Sequence, residues 1–229
     1  MKNLYLKTVA LLLALLMPFL LCACPAAEEH KPLTLTRLER GIYLCEETGV
    51  TYFAAQDTYL PGRMSAEVYA SYENEGRALL SLFKLGPDSV DKYLIAADPD
   101  SFYPDVFYTA KGYTLPTLPE MEPTEIWICD ATADSFWASA SIISQMRNED
   151  RIAQVVDAYE NGTETRLPSG NPKDLVQLIF RSEKFPEIYY YCSYYSFGAG
   201  ECYLYEFDTQ HCVRVPDDLF KDYALSFDK

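Results

Sequence analysis

Histidine is scarce in this chain, with only His30 and His211 among 229 residues. Serine and cysteine nucleophiles need an imidazole or an equivalent base beside them. His30 lies near the N-terminus, and His211 follows Asp208-Thr209-Gln210, a segment with the composition of a surface turn. The sequence also contains no GxSxG, no HExxH and no phosphate-binding glycine loop. These absences argue against the familiar hydrolases, metalloproteases and nucleotide-dependent enzymes.

Basic residues are also few, with 19 lysines and arginines against 34 aspartates and glutamates and a formal net charge of -15. A surface this acidic repels the phosphate backbone of nucleic acids and the headgroups of anionic lipids. We therefore expect no nucleic-acid partner. Carboxylate pairs of the glycosidase type stay open, because such a pair is formed in space and leaves no signature in the sequence.

Only one long hydrophobic run is present, from Val9 to Ala23, and Lys2 and Lys7 precede it. A basic start followed by an uncharged apolar run is typical of a secretory signal peptide. A membrane-spanning helix needs about 20 apolar residues, whereas this run is shorter and contains Pro18. An uncleaved membrane anchor and an ordinary cleaved signal with free secretion are the two alternatives.

The hydrophobic run ends in Leu21-Cys22-Ala23-Cys24, which resembles the lipobox of bacterial lipoproteins. The resemblance implies cleavage after Ala23, so that residues 1-23 are the signal peptide and Cys24 is the lipidated N-terminus. Two acyl chains, of the palmitate type, hold a protein stably on a bilayer where one chain binds only marginally. We therefore expect the protein at the cell membrane, anchored by lipid on the extracytoplasmic face of the cell envelope.

Five cysteines remain once Cys22 leaves with the signal peptide and Cys24 is acylated. An exported chain can form disulfides, but an odd number leaves at least one thiol unpaired. Cys192 and Cys202 flank a predicted hairpin turn at Gly198-Ala199-Gly200, which makes them the first candidate for a disulfide. The alternative is that these cysteines are small buried hydrophobic residues.

The sequence predicts no metal site and no cofactor. Asp98, Asp100 and Asp105 are arranged somewhat like a calcium-binding loop, but Tyr103 stands where the EF-hand pattern requires glycine. The short CxxC spacing that zinc sites favour is missing from the set Cys192, Cys202, His211 and Cys212.

Composition divides the rest of the chain at a segment that contains Pro116, Pro119 and Pro123, residues that favour extended backbone. The alternative is a single domain over 37-229, in which this segment is a surface loop. The predicted parts are a tether (24-36), a β-rich region (37-113), a proline-rich linker (114-123) and an α+β region (124-229).

Local patterns predict an α+β fold. Alternation around Glu47-Thr48-Gly49 and around Glu73-Asn74-Glu75-Gly76 predicts two hairpins, and hence an antiparallel β-rich N-terminal half. In the C-terminal half, Glu149 and Asp150 suit the first turn of a helix that Asn161-Gly162 ends. Its apolar residues recur at helical spacing, and four strands follow it. We therefore predict one amphipathic helix packed on an antiparallel meander in the C-terminal half. The apolar face of that helix consists of Ile152, Val155, Val156 and Tyr159.

Tyrosine is the most unusual feature of the body, with 19 in the chain and seven between residues 189 and 205. On a strand, Tyr189, Tyr191 and Tyr195 share one face, and Tyr190 and Tyr194 share the other. Tyrosine suits a partly wet recognition surface, because its ring is rigid and apolar and its hydroxyl is polar. Tyr189, Tyr191 and Tyr195 are therefore the candidate binding residues. Core packing with good strand propensity is the alternative.

These observations favour a lipid-anchored extracytoplasmic binding or interaction module, with an envelope polysaccharide or a protein as its partner. No residue is assigned a catalytic role. One alternative is a cell-envelope hydrolase that uses a carboxylate pair. Another is a structural or inhibitory surface lipoprotein without a small-molecule site.

Overall fold

The computed structural model describes residues 31-55, 59-62, 64-86, 89, 92-96, 106-131, 142-198 and 200-225. The signal peptide, Cys22, Cys24 and the Asp98, Asp100, Asp105 segment lie outside the described residues. Residues Pro32–Lys229 form one compact unit. No helix within the described ranges is long and apolar enough to cross a membrane.

The N-terminal half forms a closed β-barrel. Around the barrel the strand order is β1-β2-β3-β8-β7-β6-β5, and β5 pairs with β1 to close it. That closing pair is parallel, with Leu33 opposite Ala70, and every other pair is antiparallel. The seven strands are β1 (Leu33–Glu39), β2 (Ile42–Cys45), β3 (Thr51–Ala54), β5 (Val68–Asn74), β6 (Arg77–Lys84), β7 (Tyr93–Ala96) and β8 (Val106–Ala110).

Both predicted N-terminal hairpins are present. Glu75 and Gly76 connect β5 to β6 with positive φ angles of 51° and 76°. Two residues with positive φ form the primed turn whose twist matches that of the strands on either side. In the other hairpin, β2 pairs with β3 across a turn in which Gly49 has a φ of 70°. The turn chemistry of the sequence therefore sets the local register.

The C-terminal half forms a second, open sheet with the strand order β10-β9-β12-β13-β14-β15-β11. A short strand from the N-terminal half, β4, pairs with the first residues of β13, and Tyr59 lies opposite Tyr190. The bounds are β4 (Tyr59–Pro61), β9 (Glu125–Asp130), β10 (Ile142–Met146), β11 (Thr163–Glu164), β12 (Asp174–Arg181), β13 (Ile188–Ser196), β14 (Cys202–Tyr205) and β15 (Cys212–Val215).

Two helices occur among the described residues, α1 (Leu118–Met121) and α2 (Glu149–Asn161). The Asn148 side chain accepts a hydrogen bond from the backbone N–H of Arg151 at 3.0 Å, which caps the N-terminus of α2. The helix ends at Asn161, and Ile152, Val155 and Tyr159 are buried against the second sheet. The predicted amphipathic helix is therefore confirmed, including its acidic first turn and its end before Gly162.

The segment predicted as a linker carries α1. Leu118 and Met121 of α1 are buried in the same core as α2 and the second sheet, and the carbonyl of Pro116 accepts a hydrogen bond from Tyr59. A segment with buried side chains of its own contributes to the core of the unit. Residues Pro32–Lys229 group into one unit, and the division of the chain at 114-123 stays a prediction.

The predicted α+β fold class is wrong. Of the described residues, 48% are in strands and 10% in helices, and one sheet is a closed barrel. The two hairpins follow from local signals, but a single long helix is too little for a balanced α+β fold. The closure depends on pairs that are distant in the sequence, such as Leu33 with Ala70 and Tyr52 with Ala110. Short-range alternation carries no information on such pairs.

The barrel and the second sheet share a hydrophobic contact. Phe107 of β8 points out of the barrel, because its neighbour Tyr108 is buried in the barrel core. It packs in one buried cluster with Leu85, Ile95 and Ile188, the last of which begins β13. This cluster fixes β4 and the start of β13 where the candidate site lies.

Candidate functional site

The three predicted binding tyrosines lie on one face of the second sheet. Along β13, burial alternates strictly, so that Tyr189, Tyr191 and Tyr195 are half-buried while Tyr190 and Tyr194 are buried. The buried face is covered by α2. The sequence therefore predicts correctly which tyrosines share each face of β13.

Tyr189, Tyr191 and Tyr195 belong to a wider aromatic face. The Trp127 and Tyr189 rings meet edge to face, with centroids 5.8 Å apart. The guanidinium of Arg181 lies 4.2 Å from the centroid of Trp127 and 5.2 Å from that of Tyr189. Tyr195 is parallel to Phe197 at a centroid distance of 6.4 Å. Rings held in this way form a rigid platform with polar edges.

The candidate disulfide between Cys192 and Cys202 is not formed, and both residues are free buried thiols. Cys202 lies opposite Ser196 in the β13–β14 pair. Cys192 lies four residues before Ser196 on β13, and four residues of a strand span about 13 Å. A disulfide requires Cα atoms within about 7 Å of each other. The two cysteines do lie on neighbouring strands, as the predicted hairpin requires, but the register keeps them apart.

A second site lies beside the buried face of β13, where α1, α2, β4 and the end of β14 converge. It is a cavity of about 380 Å³, which is within the range of small-molecule sites. We call it the tyrosine-glutamate pocket. The residues that line it are Tyr59, Thr117, Leu118, Pro119, Tyr159, Glu160, Tyr190, Glu206 and His211.

A buried carboxylate lines this pocket. Glu206 is only 6% exposed, and its Oε2 accepts from the Tyr159 hydroxyl at 2.6 Å and from the Tyr190 hydroxyl at 3.0 Å. The two hydroxyl oxygens are themselves 2.5 Å apart. The three oxygen atoms therefore make three close contacts, but the two hydroxyl groups supply only two protons for hydrogen bonds. The distances favour a relay in which Tyr190 donates to Tyr159 and Tyr159 donates to Glu206.

Burial keeps these tyrosines protonated. The pKa of Tyr159 lies well above its usual range because of burial and then because of its hydrogen bond to Glu206. Burial likewise raises the pKa of Tyr190, and the neighbouring Tyr159 raises it further. The pKa of Tyr59 is raised by burial and by the charges of Glu206 and Glu120. All three hydroxyls are therefore donors at neutral pH, and none is suited to act as a phenolate nucleophile.

The aromatic rings of the pocket meet at large angles. Tyr59 and Tyr190 are 88° apart with centroids at 5.4 Å, and Tyr159 and Tyr190 are 77° apart at 5.9 Å. The Tyr59 hydroxyl donates to the Pro116 carbonyl at 2.6 Å, which fixes that ring. Rings in edge-to-face contact at these angles present differently oriented surfaces to the pocket that they line, whereas parallel rings would form a flat stack.

His211 completes one wall of the pocket. Its ring lies 4.9 Å from the Tyr159 ring, and its Nε2 lies 3.3 Å from the Tyr159 carbonyl oxygen. Because a carbonyl oxygen only accepts, Nε2 carries the proton in this contact. Local composition predicts that His211 lies in a solvated turn. It follows the turn, but its ring packs against α2.

The tyrosine-glutamate pocket was not predicted from the sequence. The sequence contains one signal for it. Alternate residues of β14 share one face of the strand, and this face continues to Glu206. The residues on it before Glu206 are buried, namely Cys202 and Leu204. A carboxylate at the next position of a buried face indicates a buried acid. The convergence of Tyr59 and Tyr159 on that acid depends on tertiary structure and has no such signal.

No group of three or more histidine, cysteine, aspartate or glutamate residues in the described part of the chain is placed to hold a metal ion. The thiols are also shielded. Burial raises the pKa of the Cys129 thiol to about 11 and raises that of Cys192 as well. A protonated, buried thiol is a poor nucleophile and a poor metal ligand.

No protein-family model, no curated protein and no solved structure matches this chain. Since a fold by itself does not define a function, the function is argued from the geometry and chemistry of named residues.

Proposed function

We propose that the protein is a lipid-anchored extracytoplasmic binding protein that holds a small molecule in the tyrosine-glutamate pocket. The observation that carries the proposal is the convergence of Tyr159, Tyr190 and Glu206 in one concave site. A few convergent polar groups among apolar and aromatic walls are typical of small-molecule sites. The raised pKa values of the tyrosines support binding over covalent catalysis.

The lipid anchor is supported by the sequence Leu21-Cys22-Ala23-Cys24. Replacing Cys24 with serine removes the thiol that the lipobox resemblance assigns to the acyl group. We expect the Cys24→Ser protein to lose incorporation of labelled palmitate and its fatty-acid modification by mass spectrometry. Cys22→Ser is the matched control and should keep both. Acylation that survives Cys24→Ser, or an intact leader in the membrane-bound protein, would contradict the anchor.

Binding in the pocket is tested by blocking its mouth. Glu160 is exposed on α2 and lines the pocket, so Glu160→Trp fills the entrance without disturbing the core. Gln154→Trp places the same side chain at an exposed position of α2 that does not line it. We expect a ligand-observed NMR screen of polar small molecules to find ligands of the wild-type and Gln154→Trp proteins that Glu160→Trp loses. Ligands that bind all three proteins equally, or a screen without ligands, would contradict the proposal.

A cell-envelope hydrolase is a second candidate, because the pocket brings an exposed acid, Glu160, together with a buried acid, Glu206. A carboxylate pair with unequal environments is the arrangement that glycoside hydrolysis uses. The hydrogen bond that Glu206 accepts from Tyr159 favours binding instead, since it already occupies one of the carboxylate oxygens. Release of a cleaved product from envelope polysaccharide, abolished in Glu206→Gln, would favour the hydrolase.

The aromatic face is the site at which an envelope polysaccharide or a protein partner would bind. The parallel, half-buried rings of Tyr195 and Phe197 support it, since flat aromatic rings that are partly open to solvent stack on such partners. Retention of a polysaccharide or protein that is lost in a Tyr191→Ala/Tyr195→Ala variant would favour this surface. Retention that persists in that variant would exclude it.

A further inference from the structure

We propose that the ligand of the tyrosine-glutamate pocket is a small organic cation, an ammonium compound whose positive charge lies among the tyrosine rings and faces Glu206. This inference rests on the proposed binding function and specifies its ligand class. It draws on the charge of the pocket walls, the geometry of the rings and the acidic surface next to the entrance.

The lining of the pocket contains acidic side chains. Glu206 and Glu160 line the pocket, and no lysine or arginine is among the described residues that do. Because Glu206 is buried, its charge is screened less than a surface charge would be. A bound anion would lie beside a carboxylate in a medium of reduced dielectric, which is strongly unfavourable. A cation experiences the opposite effect, so the walls select for positive charge.

Three tyrosine rings line the pocket. The rings of Tyr59, Tyr159 and Tyr190 meet edge to face, at 88° and 77°. An ammonium group is attracted to the negative face of an aromatic ring, and several rings around one cation form the enclosure that recognises choline and methylated amines. The hydrogen bond from Tyr59 to the Pro116 carbonyl and the relay from Tyr190 and Tyr159 to Glu206 hold the rings in place before a ligand arrives. Preorganised walls reduce the entropy that binding costs.

The surface beside the entrance is acidic. A groove of about 350 Å³ between α1 and α2 shares Pro119 and Glu160 with the pocket and therefore lies next to it. Its lining contains the acids Glu122, Glu149, Asp157 and Glu160. Only Glu122 among them has an ion pair within the described structure, to Lys184 at 2.5 Å. An acidic groove next to a pocket concentrates cations near its mouth and raises their association rate.

The size of the cavity favours an organic cation over a bare metal ion. A cavity of about 380 Å³ is far larger than a metal ion, and its described residues offer no set of three metal ligands. Apolar walls from Leu118 and Pro119 suit the methyl or methylene groups of an organic ammonium compound. The chemistry therefore indicates a ligand with a charged nitrogen and a small apolar body.

The test compares two probes that differ in charge alone. Choline carries a quaternary ammonium group, and 3,3-dimethylbutan-1-ol is its neutral isostere, with carbon in place of nitrogen. We expect isothermal titration of the full chain in mild detergent to show choline binding at least ten times more tightly than the neutral alcohol. Glu206→Gln, which preserves volume, should weaken choline binding at least tenfold. Equal or tighter binding of the neutral alcohol would overturn the inference.

Charge reversal at the mouth gives a variant that does not depend on the buried core. Glu160→Lys places an ammonium group at the entrance, whereas Gln154→Lys adds a lysine at an exposed position of the same helix that does not line the pocket. We expect Glu160→Lys to weaken choline binding at least fivefold and Gln154→Lys to change it less than twofold. Equal losses would assign the effect to overall charge and overturn the inference.

The outcomes separate this inference from the proposed function. If neutral or anionic ligands bind and Glu160→Trp removes them, the pocket is a binding site but the cation assignment is wrong. If neither choline, nor methylamine, nor any ligand of the screen shows binding that Glu160→Trp removes, both proposals are wrong.

Discussion

Replacing Phe107 with alanine is expected to lower the free energy of unfolding by about 3 to 5 kcal/mol. Phe107 is fully buried between the barrel and the second sheet, in a cluster with Leu85, Ile95 and Ile188. Its ring also meets Tyr59 edge to face, with centroids 6.1 Å apart. Removing the ring leaves a cavity at the junction of two sheets. Neither sheet can shift to fill this cavity without breaking hydrogen bonds between its strands.

Phe207 provides the matched control for this substitution. It is the same residue type but is 74% exposed, just beyond β14. Phe207→Ala is therefore expected to change the free energy of unfolding by less than about 0.5 kcal/mol. Urea denaturation followed by circular dichroism and by tyrosine fluorescence measures both variants. Similar effects of the two substitutions would contradict the packing that the structure shows.

The same experiment reports on cooperativity. Pro32–Lys229 is one compact unit, so Phe107→Ala should shift a single transition seen by both probes. A protein with two independent domains on either side of residues 114-123 would instead show one transition that shifts and one that stays. Coincident transitions are the mark of a two-state unit.

The sequence contains enough information for the strands and for α2, but not for the way in which they assemble. Glu75-Gly76 supplies positive φ angles for a tight hairpin, and the apolar positions of α2 recur at helical spacing. These signals act over a few residues. Barrel closure pairs β3 with β8 and β1 with β5, and these pairs are selected by packing over long sequence distances.

Strand β8 shows why patterns fail where two layers meet. Phe107 and Tyr108 are adjacent, and therefore point to opposite faces, yet both are buried. Tyr108 packs inside the barrel, and Phe107 packs beneath the second sheet. An alternating pattern identifies one buried face only. A strand that is buried on both faces has a continuous apolar sequence, and such a sequence does not indicate what covers each face.

The candidate sites show the same division between local and distant information. Alternation along β13 correctly separates Tyr189, Tyr191 and Tyr195 from Tyr190 and Tyr194. The same pattern favours binding on the half-buried face, whereas the pocket lies on the buried one. The pocket on the buried face depends on contacts between different elements. Glu206 follows β14, and it accepts a hydrogen bond from Tyr159 only because the fold places α2 next to it.

Replacing Glu206 with leucine is expected to lower the free energy of unfolding by about 2 to 4 kcal/mol, although leucine is the more hydrophobic residue. The substitution removes the acceptor of Tyr159 and Tyr190, whose hydroxyls are buried. One of these hydroxyls can still donate to the other, since their oxygens lie 2.5 Å apart. The second donor then has no acceptor, and an unsatisfied buried donor costs its full desolvation energy.

Removing the hydroxyl groups as well should restore much of this loss. In the triple variant Glu206→Leu/Tyr159→Phe/Tyr190→Phe no donor is left without an acceptor, and we expect a net destabilisation of about 1 kcal/mol or less. The three substitutions are therefore non-additive, with coupling of at least about 1 kcal/mol in urea denaturation. Glu160→Leu, at an exposed position of the same pocket, is the control and should change stability by less than about 0.5 kcal/mol. A triple variant whose destabilisation equals the sum of the three single losses would show that the hydroxyls and the carboxylate act independently, and would contradict the hydrogen-bonded relay that defines the pocket.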